Sequence, residues 1–141
     1  FVFVTDLAPT ILSLVGLENH QGNWQNREVE PIVGKNFSTF LAGNDASVHD
    51  DSNPIGYELG GNSALFKGDY KIVINRVGQN DSDWHLFNIK TDPGETTDLA
   101  QQMPALLEEM IADYEVYVQT NNVLPMPEGG GTGRIVGGGR R

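Results

Sequence analysis

The chain has 141 residues, enough for one modest core, and a hydrophobic content of 38% permits that core to pack. It has no cysteine, which excludes disulfides and thiolate metal sites, and no apolar run approaches the roughly 18 residues that a bilayer span needs. The net charge is −10, with Arg134, Arg140 and Arg141 in the tail, so the body repels a phosphate backbone and offers nothing to attract a sulfate ester. Neither nucleic acid nor a membrane is an expected partner.

The chain opens inside an apolar run, Phe1-Val2-Phe3-Val4, which reads as the end of a strand and as a cut within a longer polypeptide. Thr5 to Gly16 reads as a short helix. Thr5 or Asp6 can accept a backbone N–H at its start, Pro9 is tolerated in the first turn, and Gly16 suits a left-handed stop. Leu7, Ile11, Leu14 and Val15 recur at i, i+4, i+7 and i+8, so that face is predicted to be buried. Asn19 to Glu30 is polar, contains His20 and Trp24, and is predicted to be a loop. A second short helix is predicted around Phe37 to Leu41, ended by Gly43, with an acidic loop from Asn44 to Pro54.

From Ile55 the pattern changes to strands. Ile55-Gly56-Tyr57-Glu58-Leu59 alternates, Ser63 to Lys67 follows, and Lys67-Gly68-Asp69 reverses the chain into the β-branched run Tyr70 to Asn75. Trp84 to Ile89 is the fourth strand, and the short connections favour an antiparallel meander. Asp92-Pro93-Gly94-Glu95 is a turn in which Pro93 presets φ and Gly94 is expected to supply a positive φ. Pro104 to Thr120 repeats apolar residues at helical spacing, Leu106, Leu107, Met110, Ile111, Tyr114, Tyr117 and Val118, and can cover one face of the sheet. The fold class is therefore α+β: a small four-stranded antiparallel sheet packed by a C-terminal helix and preceded by a helix-loop segment. The expected division is 1–53 for the helix-loop segment, 54–123 for sheet plus helix, and 124–141 for a Gly-rich tail whose composition predicts disorder.

Three blocks, in order, carry a resemblance. The first is Thr5-Asp6-Leu7-Ala8-Pro9-Thr10-Ile11-Leu12 with Val15-Gly16-Leu17; the second is Val33-Gly34-Lys35-Asn36-Phe37. The third runs from Ala64-Leu65-Phe66-Lys67-Gly68-Asp69-Tyr70-Lys71 through Trp84-His85-Leu86-Phe87-Asn88-Ile89 to Asp92-Pro93-Gly94-Glu95 and Asp98-Leu99-Ala100. Together they resemble the C-terminal region of type I, arylsulfatase-like sulfatases, in the alkaline-phosphatase-like superfamily, from residue 1 to about Val123.

That resemblance implies the C-terminal part of an α/β sulfatase fold, docked in the parent enzyme on an N-terminal catalytic domain. It implies a parent that hydrolyses sulfate esters with a formylglycine nucleophile, made from a C/S-x-P-x-R motif, and a divalent cation, usually calcium. The motif is missing from this sequence, so no catalytic residue and no metal ligand is assigned here, neither cofactor is expected on this segment, and the segment alone is expected to be inactive. Its expected role is to complete the fold and wall one side of the substrate cleft. The alternatives are a phosphonate or phosphodiester hydrolase of the same superfamily, or a non-catalytic acidic binding module. The compartment is left open: periplasmic or secreted if a leader precedes this segment, otherwise cytoplasmic.

Two residues stand out as candidates for a substrate-pocket rim. His49 lies in a loop able to reach a pocket mouth, and Glu58 lies on a strand followed by Gly60-Gly61, where a ligand can approach backbone closely. Asp50-Asp51 and Asn80-Asp81-Ser82-Asp83 gather hard oxygen ligands without EF-hand spacing and read as solvated loops. His85 reads as a structural strand residue and Lys71 as a packed, snorkelling lysine. Gly131-x-Gly133 has no preceding strand and is not a dinucleotide fingerprint.

Overall fold

A computed structural model of the chain describes residues 1–45, 47–49, 52–59, 61–75 and 83–124. The chain divides into two compact units, Phe1–Asp50 and Asp51–Arg141. Asp50-Asp51, Asn80 to Ser82 and the Gly-rich tail from residue 125 lie outside the described residues.

The first unit begins with a 3-10 turn, Val4–Asp6, that runs directly into helix α1, Leu7–Leu14. No strand forms at Phe1 to Val4. The Phe3 N–H is taken by the Asp6 carboxylate and Val4 already enters the turn, so the extended run ends before it can pair. Asp6 is helical in backbone (φ −75°, ψ −17°) and its side chain makes no bond into the α1 backbone, contrary to the capping role expected from sequence. Instead it is turned to Phe3 and Lys35.

The buried side of α1 is Pro9 and Thr10. The face expected to be buried is open: Ile11, Leu14 and Val15 are 58%, 62% and 63% exposed, and Leu7 is exposed as well. Among the described residues of this unit nothing covers that apolar stripe. Residues 19–30, expected as loop, contain a minimal antiparallel hairpin of β1, Asn23–Trp24, and β2, Arg27–Glu28. Its two-residue turn has positive φ at both Gln25 (50°) and Asn26 (62°), the geometry that matches strand twist in a tight hairpin. Helix α2, Ser38–Leu41, is one turn long and gives way to Gly43 at φ 77°.

The second unit is a meander of β3, Ile55–Leu59, β4, Asn62–Lys67, β5, Tyr70–Asn75, and β6, His85–Asn88, with neighbours antiparallel in sequence order. Gly68, at φ 56°, makes the two-residue reversal between β4 and β5. Helix α3, Pro104–Thr120, starts with proline in its first turn, where a missing N–H costs nothing. Gly56, Leu65, Ile72 and Leu86 are successive partners across the sheet, so they form one row on one face. Leu65, Ile72 and Leu86 of that row are fully buried with Met110 and Tyr114 of α3, and each large apolar side chain so buried contributes about 2 kcal/mol. The row ends at Gly56, whose missing side chain leaves room for the Tyr117 ring; a Cβ there would lie 2.4 Å from it.

The outer edge of β6 is occupied by the segment that follows. The Leu99 N–H donates to the Leu86 carbonyl (2.7 Å), and the Asp98 carboxylate accepts the Leu86 N–H (3.1 Å). At the turn before it, Gly94 does not take the left-handed conformation expected from sequence. Glu95 does, at φ 54°, after a reversal closed by its N–H on the Asp92 carbonyl. That conformation sends the Glu95 carboxylate to Lys71 Nζ at 2.6 Å, which offsets the local cost of a non-glycine residue there.

Candidate functional site

The first block of the sequence resemblance resolves into a polar knot. Asp6 is 1% exposed, and its two carboxylate oxygens accept the Phe3 N–H (2.7 Å), the Lys35 N–H (2.8 Å) and His49 Nε2 (2.7 Å). The Thr10 hydroxyl donates to the Asp6 carbonyl (2.7 Å) and accepts the Phe37 N–H (3.0 Å). Gly34 is what allows the second block to come this close, because a Cβ on it would lie 1.9 Å from the Thr5 carbonyl oxygen. Asp6, Thr10, Gly34 and Phe37 thus tie residues 3–10 to 34–37 by backbone groups that would otherwise be unpaired.

His49 joins this knot as its one imidazole. Burial alone pushes the Asp6 carboxyl up, but the His49 hydrogen bond and the Phe3 and Lys35 N–H groups together hold it below the usual carboxylate range. Asp6 is therefore ionised near neutrality and positions the His49 ring through Nε2. The other ring nitrogen, Nδ1, is buried and has no hydrogen-bond partner among the described residues. With Nε2 turned to the carboxylate, Nδ1 is left facing a group that the described residues do not supply.

Glu58, the second rim candidate, sits on β3 in the other unit. Its carboxylate accepts the Ser63 hydroxyl (2.6 Å) and the Tyr114 hydroxyl. Burial first, and the bond to Glu58 second, push the Tyr114 phenol up to about 12, so Tyr114 remains a donor at any working pH. The arrangement links the edge strand to α3. On the opposite face of the sheet, Lys71 pairs with Glu95 and lies 5.5 Å above the Phe66 ring, the packed lysine expected from sequence. His85 meets Asp98 at 2.7 Å. Burial raises Asp98, but its bonds from the Ala100 N–H, His85 and the Leu86 N–H outweigh that and leave it below the usual range.

Among the described residues no group of three or more His, Asp or Glu side chains could hold a metal ion. The sequence carries no C/S-x-P-x-R precursor for a formylglycine, and no chemical step is routed through that group or through calcium. No helix among the described residues is long and apolar enough to cross a membrane.

Sequence reasoning missed a cleft in the first unit. It has a volume of about 560 Å³, with apolar walls that include Leu12, Leu17, Trp24 and Ile32, and Glu18 and Glu30 beside them. His20 also lines it, with its ring 6.2 Å from that of Trp24. Trp24 is half-exposed although tryptophan is costly to leave in water, and that residue in a polar stretch was the available signal.

No family profile matches the chain. It is 33% identical over 129 residues to an uncharacterized sulfatase of Schizosaccharomyces pombe, a match that covers 91% of this chain and 23% of the relative. The chain is sulfatase-like. It spans about a quarter of the length of the curated relative, consistent with a C-terminal sulfatase subdomain. The fold agrees. A Bacteroides thetaiotaomicron structure, the 6S-sulfatase from work on glycosaminoglycan metabolism, superposes with TM-score 0.57 at 18% identity, over 79% of this chain and 24% of that one. Ps i-CgsB in complex with k-i-k-neocarrahexaose gives TM-score 0.58 at 26% identity, over 79% and 23%. BT4656 in complex with its substrate D-glucosamine-2-N,6-O-disulfate gives 0.55 at 17% identity, over 81% and 23%. At 17–18% identity the likeness is one of fold. The sulfatase-like segment thus has the four-stranded antiparallel sheet, C-terminal helix and N-terminal helix expected from its sequence.

Proposed function

We propose that this sulfatase-like segment is the C-terminal part of a sulfuric ester hydrolase. In that enzyme it completes the fold and walls one side of the substrate cleft. The observation that carries the reading is the 33% identity over 129 residues to a sulfatase, which runs across both compact units. The match takes in 91% of this chain and 23% of the relative, and this sequence lacks the C/S-x-P-x-R motif, which fits a supporting role.

In this reading the nucleophile, a formylglycine, and the divalent cation belong to the remainder of the parent, which supplies the charge stabilisation that sulfuryl transfer needs. In the same reading His49 and Glu58 are the residues that would line the rim of the parent's cleft; what supports it is that each side chain is held in place, His49 by Asp6 and Glu58 by Ser63 and Tyr114. The leaving compartment for such an enzyme is outside the cytoplasm if a leader precedes the catalytic part.

The experiment is a substrate panel on the intact parent polypeptide: an aryl sulfate, a phosphonate monoester and a phosphodiester, each with a chromogenic leaving group. Sulfate release is expected to dominate. Preferential cleavage of the phosphonate or the phosphodiester would move the parent to the rival hydrolase class, and no turnover of any ester would leave only a binding module. For the rim residues, His49→Ala and Glu58→Gln are each expected to raise KM severalfold with a smaller change in kcat. An unchanged KM in both removes them from the rim.

A further inference from the structure

The two units solve the burial problem differently. The second has its own apolar core, with Leu65, Ile72, Leu86 and Met110 fully buried. Among the described residues of the first, the buried ones are Asp6, Pro9 and Thr10, while the apolar stripe of α1 and the Trp24 cleft stay open. A unit of this size with a polar knot for a centre and its apolar groups outside is built to be covered.

The cleft specifies what covers it. Among its described lining residues the formal charges are two carboxylates, Glu18 and Glu30, set beside the walls of Leu12, Leu17, Trp24 and Ile32. A sulfated or otherwise anionic ligand is repelled there. An apolar group flanked by a cation is favoured twice, by burial against the walls and by the carboxylates, and a cation can also stack on the exposed Trp24 ring. Of the lining residues, His20 keeps a buried Nδ1 with no hydrogen-bond partner among the described residues, and so does Oδ1 of its chain neighbour Asn19. A buried amide oxygen is ordinarily met by a donor, and a buried imidazole nitrogen by a donor or an acceptor according to its tautomer. The nearest source of a covering segment is the polypeptide itself, because this chain spans only 23% of its curated relative.

We infer that the Trp24 cleft is the seat of a lysine- or arginine-bearing apolar segment from the part of the parent polypeptide outside this chain. This rests on the reading of the chain as part of a sulfatase. It assigns the first unit the task of holding the parent together, and it separates that contact from sulfate recognition.

The test compares hydrogen exchange in the intact parent and in this 141-residue chain. Amides of residues 12–32 are expected to exchange at least tenfold more slowly in the parent. Glu18→Lys with Glu30→Lys, both at exposed positions, is expected to remove that protection while amides of β4 and β5 are unaffected. Glu18→Gln with Glu30→Gln, which cannot clash by charge, is expected to lose part of it. Equal exchange in parent and isolated chain overturns the inference, as does protection indifferent to both double variants. Protection of the isolated chain by an aryl sulfate also overturns it, since the cleft would then take substrate. Sulfate release is measured on the same samples: a parent that turns over substrate without protecting 12–32 sinks this inference alone. Protection without turnover supports the seat and counts against the sulfatase reading.

Discussion

Asp6 Oδ2 lies 2.7 Å from His49 Nε2, and this carboxylate also accepts two backbone N–H groups from Phe3 and Lys35. One buried anion therefore joins three separate stretches of the first unit. Asp6→Asn keeps the shape but turns an amide donor toward at least one existing donor. It is expected to cost about 2–4 kcal/mol of unit stability, since a buried acceptor is lost and a donor is left unmet. Chemical denaturation followed at Trp24 measures this, in a Trp84→Phe background.

The same carboxylate sets an acid limit. Its folded value is held below the ordinary 3.8, so its contribution is fully present above pH 3.8 and is lost as pH falls through the depressed folded value. Wild type is expected to lose first-unit stability as pH drops below 3.8, and Asp6→Asn to show a flatter profile there. Matching slopes for the two proteins would place the acid sensitivity elsewhere.

In the second unit, Gly56 and Tyr117 share space that a methyl group would fill. Gly56→Ala is expected to destabilise the sheet-plus-helix unit by about 1–3 kcal/mol through overpacking, with Gly56→Val worse. Tyr117→Leu in the Gly56→Ala background is expected to recover part of the loss. The melt of the double variant against both single variants gives the coupling.

Glu58 makes a spectroscopic prediction. Burial is the first cause of the raised Tyr114 phenol and Glu58 the second, so Glu58→Gln is expected to lower the Tyr114 titration from about 12 without returning it to 10.0. Ultraviolet titration of tyrosinate reads this directly, with Tyr114→Phe identifying the band.

Asp98 guards the β6 edge by accepting the Leu86 and Ala100 N–H groups and pairing with His85. Asp98→Ala is expected to cost about 1–2 kcal/mol and to speed exchange at the Leu86 amide, with little change at Ile72 in the sheet interior.

The second unit was legible in sequence because its signals are local and its partners are nearby. The alternation in Tyr70 to Asn75 and the helical repeat in Pro104 to Thr120 each name a buried face, and that face is covered within the same unit. The first unit was legible in its elements and not in its burial. Periodicity marks Leu7, Ile11, Leu14 and Val15 as one apolar face, but it cannot say whether the cover lies in the same stretch of chain. The Gln25-Asn26 hairpin carries no glycine, so its turn chemistry was faint, and Glu95 took the left-handed position expected of Gly94 because Lys71 rewards it. Of the candidate site, His49 and Glu58 were visible as residue types. The partners that orient them, Asp6 at 43 residues' distance and Tyr114 at 56, were not.

The most direct test is sulfate release from an aryl sulfate by three proteins side by side: the intact parent, the parent truncated before Phe1, and this 141-residue chain. Hydrolysis by the intact parent is expected, with loss of most or all activity on truncation and none from the chain alone. Turnover by the isolated chain, or a truncated parent as active as the intact one, would contradict the assignment of this segment as a supporting part of a sulfatase.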